Sequence, residues 1–258
     1  MNVRPKKHLG QHFLTDQSIA RRIAGSLTAD RCSTVLEVGC GTGVLTRFLL
    51  ERRYNALRRR GRYRKHRLPA RVFSRVCPRL MEGDFLRMNL AEQFPQGVNI
   101  IGNFPYNISS QIFFQVLEYR DLIPEVVGMV QREVAVRIAE PPGSKEYGIL
   151  SVFLQAFYDI EYLFTVSEGV FNPPPKVKSA VIRLRRNGVQ RLDCDERLFM
   201  KVVKATFNQR RKTIRNSLRA AFGDFGGAEH EFFSLRPEVL GVAQFVGLTD
   251  WVQRHLRG

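Results

Sequence analysis

A short apolar segment that runs directly into three closely spaced glycines is the feature that most constrains this chain. Residues 33–38 are mostly apolar and β-branched, which is typical of a short buried strand. Glycines follow at positions 39, 41 and 43, and residues 44–50 then predict a helix. A strand, a glycine turn and a helix in this order form the opening unit of a doubly wound α/β sheet. The predicted fold class is therefore α/β.

The glycine turn also predicts a ligand site. Gly39 and Gly41 let the backbone approach a ligand closely, and the N-terminus of the helix that follows is electropositive. The dinucleotide-binding pattern needs Gly or Ala where Val44 stands, so NAD is a poor match. With Glu37 in front, the pattern resembles the S-adenosylmethionine loop of Rossmann-like methyltransferases. A purely structural turn remains the alternative for this motif alone.

Two later strands are predicted to end in residues that carry chemistry. Residues 80–85 predict a strand whose end bears Asp84, a carboxylate suited to accept a hydrogen bond from an adenine amine. A solvated loop acid is the alternative. Residues 98–102 predict another strand, which runs into Asn103, Phe104, Pro105 and Tyr106. Carboxyl ends of parallel strands share one edge of a sheet, where ligands of doubly wound folds bind.

Residues 103–106 are suited to hold an adenine base for methylation at N6. The lone pair of that amine is delocalised into the ring, so the nitrogen needs acceptors that draw it toward sp3 geometry. The Asn103 side-chain oxygen and the Phe104 carbonyl can serve as these acceptors, while Pro105 fixes the turn. Tyr106 can stack on an extruded purine. Catalysis by positioning and polarisation is then sufficient, because a sulfonium is a good leaving group. A turn with a buried tyrosine is the alternative.

The remaining periodicity predicts two domains. Further strands are expected at residues 125–130 and 179–184, and helices at 17–27, 131–140 and 149–157. The tail predicts helices at 195–207, 212–222 and 249–256. The expected division is a methyltransferase domain at residues 1–186 and a helical, RNA-contacting domain at residues 187–258.

Two more motifs indicate nucleic-acid contacts. Phe171 precedes three prolines that stiffen its loop, so its ring is suited to cover the second face of a target base; a rigid surface loop is the alternative. Four cations near the start of the tail can contact RNA phosphates if they lie on helix faces, with a solvated helix surface as the alternative. They are Arg210, Arg211, Lys212 and Arg215.

Composition favours a polyanionic partner and a reducing compartment. The net charge is +17, of which residues 51–80 supply +11 through eleven arginines and one lysine against one acid. No apolar run approaches the roughly 20 residues of a membrane span, and no secretory signal is evident. The four cysteines are scattered, which suggests neither a disulfide framework nor a zinc site. We expect a cytoplasmic protein without a metal.

The order of these motifs resembles the KsgA (RsmA) family of small-subunit rRNA adenine-N6,N6-dimethyltransferases. Residues 7–14 are similar to the family's N-terminal signature, and residues 103–106 to its N-L-P-Y motif with Phe in place of Leu. The other matching segments are residues 37–43, 82–85, 142–148, 171–179 and 207–218. The similarity extends over nearly the whole chain.

The resemblance implies a cofactor, S-adenosyl-L-methionine, and a set of residues that bind it. His12 and Leu14 are expected to close over the cofactor, and Gly39 to lie beneath it in the loop that also contains Glu37 and Gly41. A further implied contact is from Asp84 to the adenine amine of the cofactor. Asn103 is expected between methyl donor and acceptor.

The implied substrate is a pair of adjacent adenosines in the 3′-terminal hairpin of 16S rRNA, dimethylated within an assembling small subunit by a monomeric enzyme. Two other functions stay open at this point. One is dimethylation of 23S rRNA adenine, as in the enzymes that confer antibiotic resistance. The other is a ribosome-assembly factor that binds RNA without catalysis.

One segment departs from the family pattern. The family expects a second strand of the form V-x-x-V-E-[IV]-D, whose Glu binds the cofactor ribose, and that Glu falls near Arg60. Residues 58–67 have almost no apolar side chain and are not expected to form a buried strand. One hypothesis is that residues 56–79 were translated in a shifted reading frame, since CGN arginine codons read one base later become GNN codons. A natural basic RNA-binding insertion is the alternative.

Overall fold

The computed structural model describes residues 12–52, 55–60 and 80–256, and for 55–60 and 80–82 it describes the backbone alone. Most of the segment in the reading-frame hypothesis, residues 61–79, lies outside the described residues. So does the start of the N-terminal signature, residues 7–11.

The described residues form nine strands and nine α-helices. The strands are β1 (Phe13–Leu14), β2 (Thr34–Val38), β3 (Asn55–Arg60), β4 (Leu80–Glu82), β5 (Asn99–Asn103), β6 (Glu125–Gln131), β7 (Tyr158–Val166), β8 (Phe171–Asn172) and β9 (Ser179–Arg186). The helices are α1 (Gln17–Ser26), α2 (Val44–Glu51), α3 (Leu90–Gln93), α4 (Ser109–Glu118), α5 (Arg132–Ala139), α6 (Ile149–Gln155), α7 (Glu196–Asn208), α8 (Ile214–Phe222) and α9 (Val242–His255).

Seven of these strands form one sheet in the order β4-β3-β2-β5-β6-β9-β7. The pairs β4-β3, β3-β2, β2-β5 and β5-β6 are parallel, whereas β9 is antiparallel to β6. The chain moves outward from β2 in both directions, so the order reverses between β2 and β5. A doubly wound sheet binds its ligands at the carboxyl ends of the strands at such a reversal. The predicted α/β class is confirmed.

The strands at this reversal are buried on both faces. Val35, Leu36, Ile100 and Ile101 have no exposed surface, which explains the continuous apolar runs of β2 and β5. Gly102 ends the run in β5 because a side chain there would clash with the Val38 carbonyl oxygen. The glycine turn after β2 and residues 103–106 after β5 therefore leave the same edge of the sheet side by side.

The expectation that residues 58–67 would not form a strand is wrong for its first three positions. β3 pairs with β2 on one side, where Arg59 lies opposite Val38, and with β4 on the other, where Arg60 lies opposite Glu82. The physical reason is that the ladder joins backbone groups, and two neighbouring strands supply partners whatever the side chains are. Position 60 thus lies at the carboxyl end of its strand.

Strand β7 was not predicted. Its nine residues alternate unevenly between buried and exposed positions, and Asp159 and Glu161 interrupt its apolar character. An edge strand can carry such residues because one side of its ladder is open to water. The helix expected at residues 149–157 ends at Gln155, and the chain then enters this strand.

The predicted helices of the first part are confirmed. α1 begins where Asp16 accepts hydrogen bonds from the backbone of Ser18 and Ile19, at 2.7 and 3.0 Å, which is an N-cap. In the tail, Asp195 caps α7 through the Leu198 amide at 2.8 Å. The last helix starts earlier than its periodicity predicted, at Val242.

The chain divides into two compact units. One contains the described residues up to Ala135 together with Asp159–Arg186, and the other contains Val136–Tyr158 and Asn187–Gly258. A boundary after residue 186 was expected, but residues 136–158 were expected in the first domain. They join the second unit because their aromatic side chains pack there: the Tyr147 ring lies 6.1 Å from that of Phe207.

Tyr147 provides a test of this second core. Its side chain is fully buried, its hydroxyl has no hydrogen-bond partner among the described residues, and burial raises its pKa to about 12. Because the neutral form is favoured in the folded state, the free energy of unfolding should fall as pH rises from about 10, where an unfolded tyrosine ionises, to about 12. Tyr147→Phe should flatten this decline.

At neutral pH, Tyr147→Phe should leave the free energy of unfolding unchanged or raise it by up to about 1 kcal/mol, since it removes an unpaired buried hydroxyl. Denaturant unfolding at pH 7 and between pH 9 and 12 measures both effects. Thr249→Val is the matched control, because the buried Thr249 hydroxyl donates to the Phe245 carbonyl at 2.7 Å and its loss should destabilise. Strong destabilisation by Tyr147→Phe would contradict this account.

Candidate functional site

The glycine turn forms a backbone cradle at the carboxyl edge of the sheet. Gly39, Gly41 and Gly43 have φ angles of 78°, 48° and 85°, which side-chain-bearing residues rarely adopt. A Cβ on Gly39 would lie 3.4 Å from the Asn103 carbonyl oxygen, and one on Gly41 would lie 3.0 Å from the Phe13 ring. The turn therefore places bare backbone against residues 103–106 and β1.

Glu37 anchors this turn from below. Its carboxylate is 2% exposed and accepts a hydrogen bond of 2.5 Å from the Thr46 hydroxyl, which is itself buried in α2. The sequence resemblance placed Glu37 among the cofactor-binding residues. In the structure the carboxylate accepts a hydrogen bond from α2, and this bond fixes the turn between β2 and α2. Thr46 was not predicted, because nothing in the spacing of the motif indicates it.

The Asn103 side chain is oriented by a backbone group. Its Nδ2 donates to the carbonyl oxygen of His12 at 2.8 Å. Because the nitrogen is used in this bond, the side-chain oxygen is the atom left to accept hydrogens from another molecule. Asn103 is half-buried at the end of β5, next to Gly39. The Asn103 side-chain oxygen is thus held as a hydrogen-bond acceptor beside the glycine turn.

Phe104 contributes through its backbone, because its ring lies in the core. The ring is fully buried, lies edge-on to Phe113 at 5.8 Å, and covers Gly128, where a Cβ would come within 2.6 Å of it. The Phe104 amide donates to the Met129 carbonyl at 3.0 Å. The peptide that follows Asn103 is therefore held in one position.

Tyr106 is half-buried and held at its hydroxyl. That oxygen lies 2.5 Å from Ser179 Oγ, and the ring centroid lies 5.3 Å from that of His12 with a 32° tilt. Burial raises the pKa of Tyr106 above its ordinary value, against the lowering effect of the Ser179 hydrogen bond. The phenol is neutral near pH 7. Ser179 was not among the predicted site residues, although it ends the 171–179 motif.

Leu14 belongs to a small two-stranded sheet that borders the site, and His12 directly precedes the first strand of this sheet. β1 pairs antiparallel with β8, which sets Leu14 opposite Phe171. His12 Nδ1 lies 2.9 Å from the Pro173 carbonyl oxygen, and Leu14 is buried. These contacts join the N-terminal segment to residues 173–178, the proline loop between β8 and β9, across more than 150 residues of sequence.

Phe171 lies in a position different from the one its motif suggested. Its side chain is 4% exposed and belongs to the core of the first unit, with Leu14, Val166 and Val181. A ring in that position cannot stack on a base unless it leaves the core. The core position arises because Phe171 lies in β8, where its backbone pairs with Leu14 and directs its side chain inward.

Asp84 lies two residues after β4, which ends at Glu82 and is shorter than the predicted strand, and its carboxylate is partly occupied. Oδ1 accepts from the Leu86 amide at 3.1 Å and caps the 3-10 turn Phe85–Arg87, while Oδ2 lies 3.7 Å from Arg87 Nε. The side chain is 41% exposed. A carboxylate has further acceptor positions, so these contacts leave it able to accept from a ligand.

The four cations of the tail divide into two pairs. Arg210 donates to the Ser144 carbonyl at 3.3 Å and lies 3.7 Å from Glu238, while Arg215 pairs with Glu229 and lies over the Phe233 ring at 5.1 Å. These two stabilise the second unit.

The second pair, Arg211 and Lys212, is exposed. The expected helix faces are absent at this point: α7 ends at Asn208 and α8 begins at Ile214, so both residues lie in the turn between these helices. Thr213 has an extended backbone and is the N-cap residue of α8, so the helical structure is interrupted before it.

Two properties of the described residues bear on function. None of the helices in the described ranges is long and apolar enough to cross a membrane. Within those same ranges, no cluster of three or more His, Cys, Asp or Glu side chains is placed to hold a metal ion.

Comparisons with known proteins identify the family of the chain. A model described as Ribosomal RNA adenine dimethylase matches residues 2–243. A Ribosomal RNA small subunit methyltransferase A from Parabacteroides distasonis is 53% identical over 255 residues, which cover 98% of this chain and 96% of that protein. The protein of the same name from Bacteroides thetaiotaomicron is 51% identical over 257 residues, with 99% and 96% covered.

Two solved structures share the fold. A dimethyladenosine transferase from Plasmodium falciparum has a TM-score of 0.74 at 22% identity, and the match covers 95% of this chain and 98% of that one. The 23S rRNA methyltransferase ErmE has a TM-score of 0.62 at 26% identity, with 95% and 100% covered.

The Glu37–Thr46 bond can be tested by removing one hydroxyl. Thr46→Val keeps the shape of the side chain but leaves the buried carboxylate without this donor, and should lower the free energy of unfolding by about 1–3 kcal/mol. Thr46→Ser keeps the hydroxyl and is the matched control, with a smaller expected loss. Denaturant unfolding measures both, and equal losses for the two variants would contradict the role given to the bond.

Proposed function

We propose, given that the chain belongs to the ribosomal RNA adenine dimethylase family, that it transfers methyl groups from S-adenosylmethionine to N6 of two adjacent adenosines in the 3′-terminal hairpin of 16S rRNA. The observation that carries this proposal is the pairing of two features at one sheet edge. A bare glycine cradle adjoins Asn103, whose side-chain oxygen is left as an acceptor by the bond from Nδ2 to His12. The cradle suits a methyl donor, and the amide suits an amine acceptor.

The cradle fits the cofactor that the family uses. The positive φ angles of Gly39 and Gly41, and the narrow space that a Cβ would fill, leave backbone groups open to a ligand. In this proposal Gly39 and Gly41 hold the amino acid portion and Leu14 helps to cover it. Asp84 accepts from the adenine amine of the cofactor. When bound, S-adenosylmethionine supplies an electrophilic methyl group on a sulfonium that leaves readily.

The residues of the chain then act by orientation and polarisation. Asn103 Oδ1 and the Phe104 carbonyl would accept hydrogen bonds from the target amine and draw its nitrogen toward sp3 geometry. As the N–C bond forms, the bond from the methyl carbon to sulfur would break and a neutral thioether would leave, and the nitrogen would lose one proton to water. Both groups are held in place before the substrate binds. The Asn103 side chain is held by its bond to the His12 carbonyl, and the Phe104 backbone is held by its buried ring and by the bond from its amide to the Met129 carbonyl. Acceptors that need no rearrangement during the reaction stabilise developing charge efficiently. Tyr106, neutral and half-buried, provides a stacking surface for the extruded base.

The choice of 16S rRNA rests on the relatives. The proteins that are 50% or more identical over nearly the whole chain carry the name small subunit methyltransferase, whereas the ErmE structure, a 23S enzyme, is 26% identical. A ribosome-assembly factor without catalysis is less favoured because Asn103, Gly39 and Asp84 are all present. We take the protein to act as a cytoplasmic monomer on an assembling small subunit.

The RNA contacts that we propose in the second unit come from the exposed pair. Arg211 and Lys212 lie exposed in a turn, whereas Arg210 and Arg215 are bonded to other residues of the unit. Flexible exposed cations bind phosphates without sequence preference. Arg211 and Lys212 are therefore assigned to the RNA backbone, and Arg210 and Arg215 to the stability of the domain.

The mechanism predicts that Asn103→Ala abolishes most activity. Loss of a preorganised polar group at a reacting centre costs about 100-fold or more in rate, and the variant should reach no more than about 1% of wild-type turnover. Incorporation of labelled methyl groups into small subunits that lack this modification measures the effect. Asn216→Ala, which alters an exposed asparagine in α8, should retain full activity. Unchanged incorporation by Asn103→Ala would refute the mechanism.

A second prediction concerns the strand end where the family has an acid. The register of β3 sets position 60 at the carboxyl end of the strand, beside the end of β2. Arg60→Glu should therefore tighten S-adenosylmethionine binding by about tenfold, since a charged acceptor for a ribose hydroxyl is worth about 1.5–3 kcal/mol. Calorimetry measures the dissociation constant.

Arg59→Glu is the matched control for Arg60→Glu, because it makes the same change in net charge at the neighbouring position. It should not tighten binding. Equal effects of the two variants would indicate general electrostatics, and no effect of Arg60→Glu would show that position 60 does not contact the ribose. The nucleotide sequence of the gene separately tests the reading-frame hypothesis.

A further inference from the structure

The hydroxyl that holds Tyr106 belongs to a residue with no assigned role. Ser179 Oγ lies 2.5 Å from the Tyr106 hydroxyl, and Ser179 has no exposed surface. It is the first residue of β9 and lies opposite Gln131 in the antiparallel ladder with β6. The tyrosine is thus attached to an interior position of the central sheet.

Ser179 is itself held in place independently of this bond. The ladder between β6 and β9 continues for seven register pairs from Ser179 onward, and the preceding residue, Lys178, accepts a hydrogen bond of 2.9 Å from the Arg132 amide. A serine at the start of a paired strand moves little. The partner of Tyr106 is therefore more rigid than the short 3-10 turn Tyr106–Ile108 in which the tyrosine lies.

The same bond also closes one end of the proline loop. Residues 173–178 begin at Pro173, whose carbonyl oxygen lies 2.9 Å from His12 Nδ1, and lead into Ser179, which is bonded to Tyr106. The His12 and Tyr106 rings are neighbours at 5.3 Å. His12, whose carbonyl orients Asn103, and Tyr106 are therefore both tied to this one loop.

We propose that Ser179 is a positioning residue for methyl transfer: its hydroxyl fixes where the Tyr106 ring lies, so that the ring offers a stacking surface already in place for the target adenine. This inference rests on the proposed function. The tyrosine hydroxyl lies at the far end of the ring, and a bond there restricts the first side-chain torsion, which sets the direction in which the ring extends. Fixing the ring before the base arrives removes an ordering cost that would otherwise be incurred on binding.

The proposal differs from a purely structural role for the serine. A serine that merely fills space in β9 would affect folding, but not the rate of methyl transfer at saturating substrates. A serine that aligns Tyr106 acts on the bound base, so its loss should lower that rate while cofactor affinity stays unchanged. The KM for the small subunit should change little, since phosphate contacts supply most of the affinity for RNA.

Single-turnover methyl transfer to unmodified small subunits, with both substrates saturating, tests the proposal. Ser179→Ala should lower the rate by about tenfold, which corresponds to about 1.4 kcal/mol. Ser179→Thr keeps the hydroxyl and should recover most of the rate. Calorimetry with S-adenosylmethionine should give the same dissociation constant for all variants.

A double-mutant cycle separates this bond from other effects. Tyr106→Phe keeps the stacking ring and removes the same bond from its half-exposed partner, so it gives the same test if Ser179→Ala proves unstable. The double variant should be no slower than either single variant, because both remove one interaction. Ser217→Ala is the matched control, since it deletes a buried serine hydroxyl that donates to Thr213 at 3.1 Å in the other unit and should leave the rate unchanged.

Two results would overturn the proposal while the wild type remains active. One is a wild-type rate for Ser179→Ala, and the other is a double variant whose loss is the product of the two single losses. If Ser179→Thr were as slow as Ser179→Ala with unchanged unfolding free energy, the hydroxyl would not be the acting group. Absence of methyl incorporation by the wild type would instead refute the proposed function.

Discussion

The structure depends on one close approach of backbones at the point where the sheet order reverses. At Gly102 in β5 any side chain would clash with the Val38 carbonyl oxygen of β2, so only glycine lets the two strands lie together there. Because the strands are parallel, their carboxyl ends then open side by side. Gly39 directly follows β2 and Asn103 is the last residue of β5, and a Cβ on Gly39 would already contact the Asn103 backbone. The proposed methyl donor and amine acceptor would meet where these strand ends adjoin.

The site is completed by chain segments that lie far apart in sequence. β1 pairs with β8, which brings His12 beside Pro173, and the His12 carbonyl then orients the Asn103 amide. The Asn103 amide thus depends on a backbone group of the N-terminal segment, and that segment is bonded to the proline loop. Preorganisation in this site comes mainly from backbone atoms, which do not change when side chains vary.

Much of the fold was predictable because the buried parallel strands give unbroken apolar runs and the glycine turn follows the first of them. β7 was missed because an edge strand does not need a continuous apolar run. β3 was missed because backbone pairing with a strand on each side can stabilise a strand that ends in three arginines. The clamp at residues 103–106 was inferred from its residue types and stays a prediction, while the structure shows that these residues lie beside the glycine turn. Ser179 and Thr46 were not, since their importance comes from hydrogen bonds to residues distant in sequence. Likewise, charge alone cannot separate Arg211, which is exposed, from Arg215, which is paired.

The phenylalanine at position 104 shows how the core and the chemistry are linked. The family motif has leucine there, and a larger ring needs extra space beneath it. Gly128 on the adjacent strand β6 provides that space, since its missing side chain is where the ring lies. The Phe104 amide bonds to the Met129 carbonyl of the same strand β6, which holds the peptide after Asn103. The volume of the ring is thus accommodated on the adjacent strand, and the backbone on either side of Phe104 is fixed by the packing of its side chain.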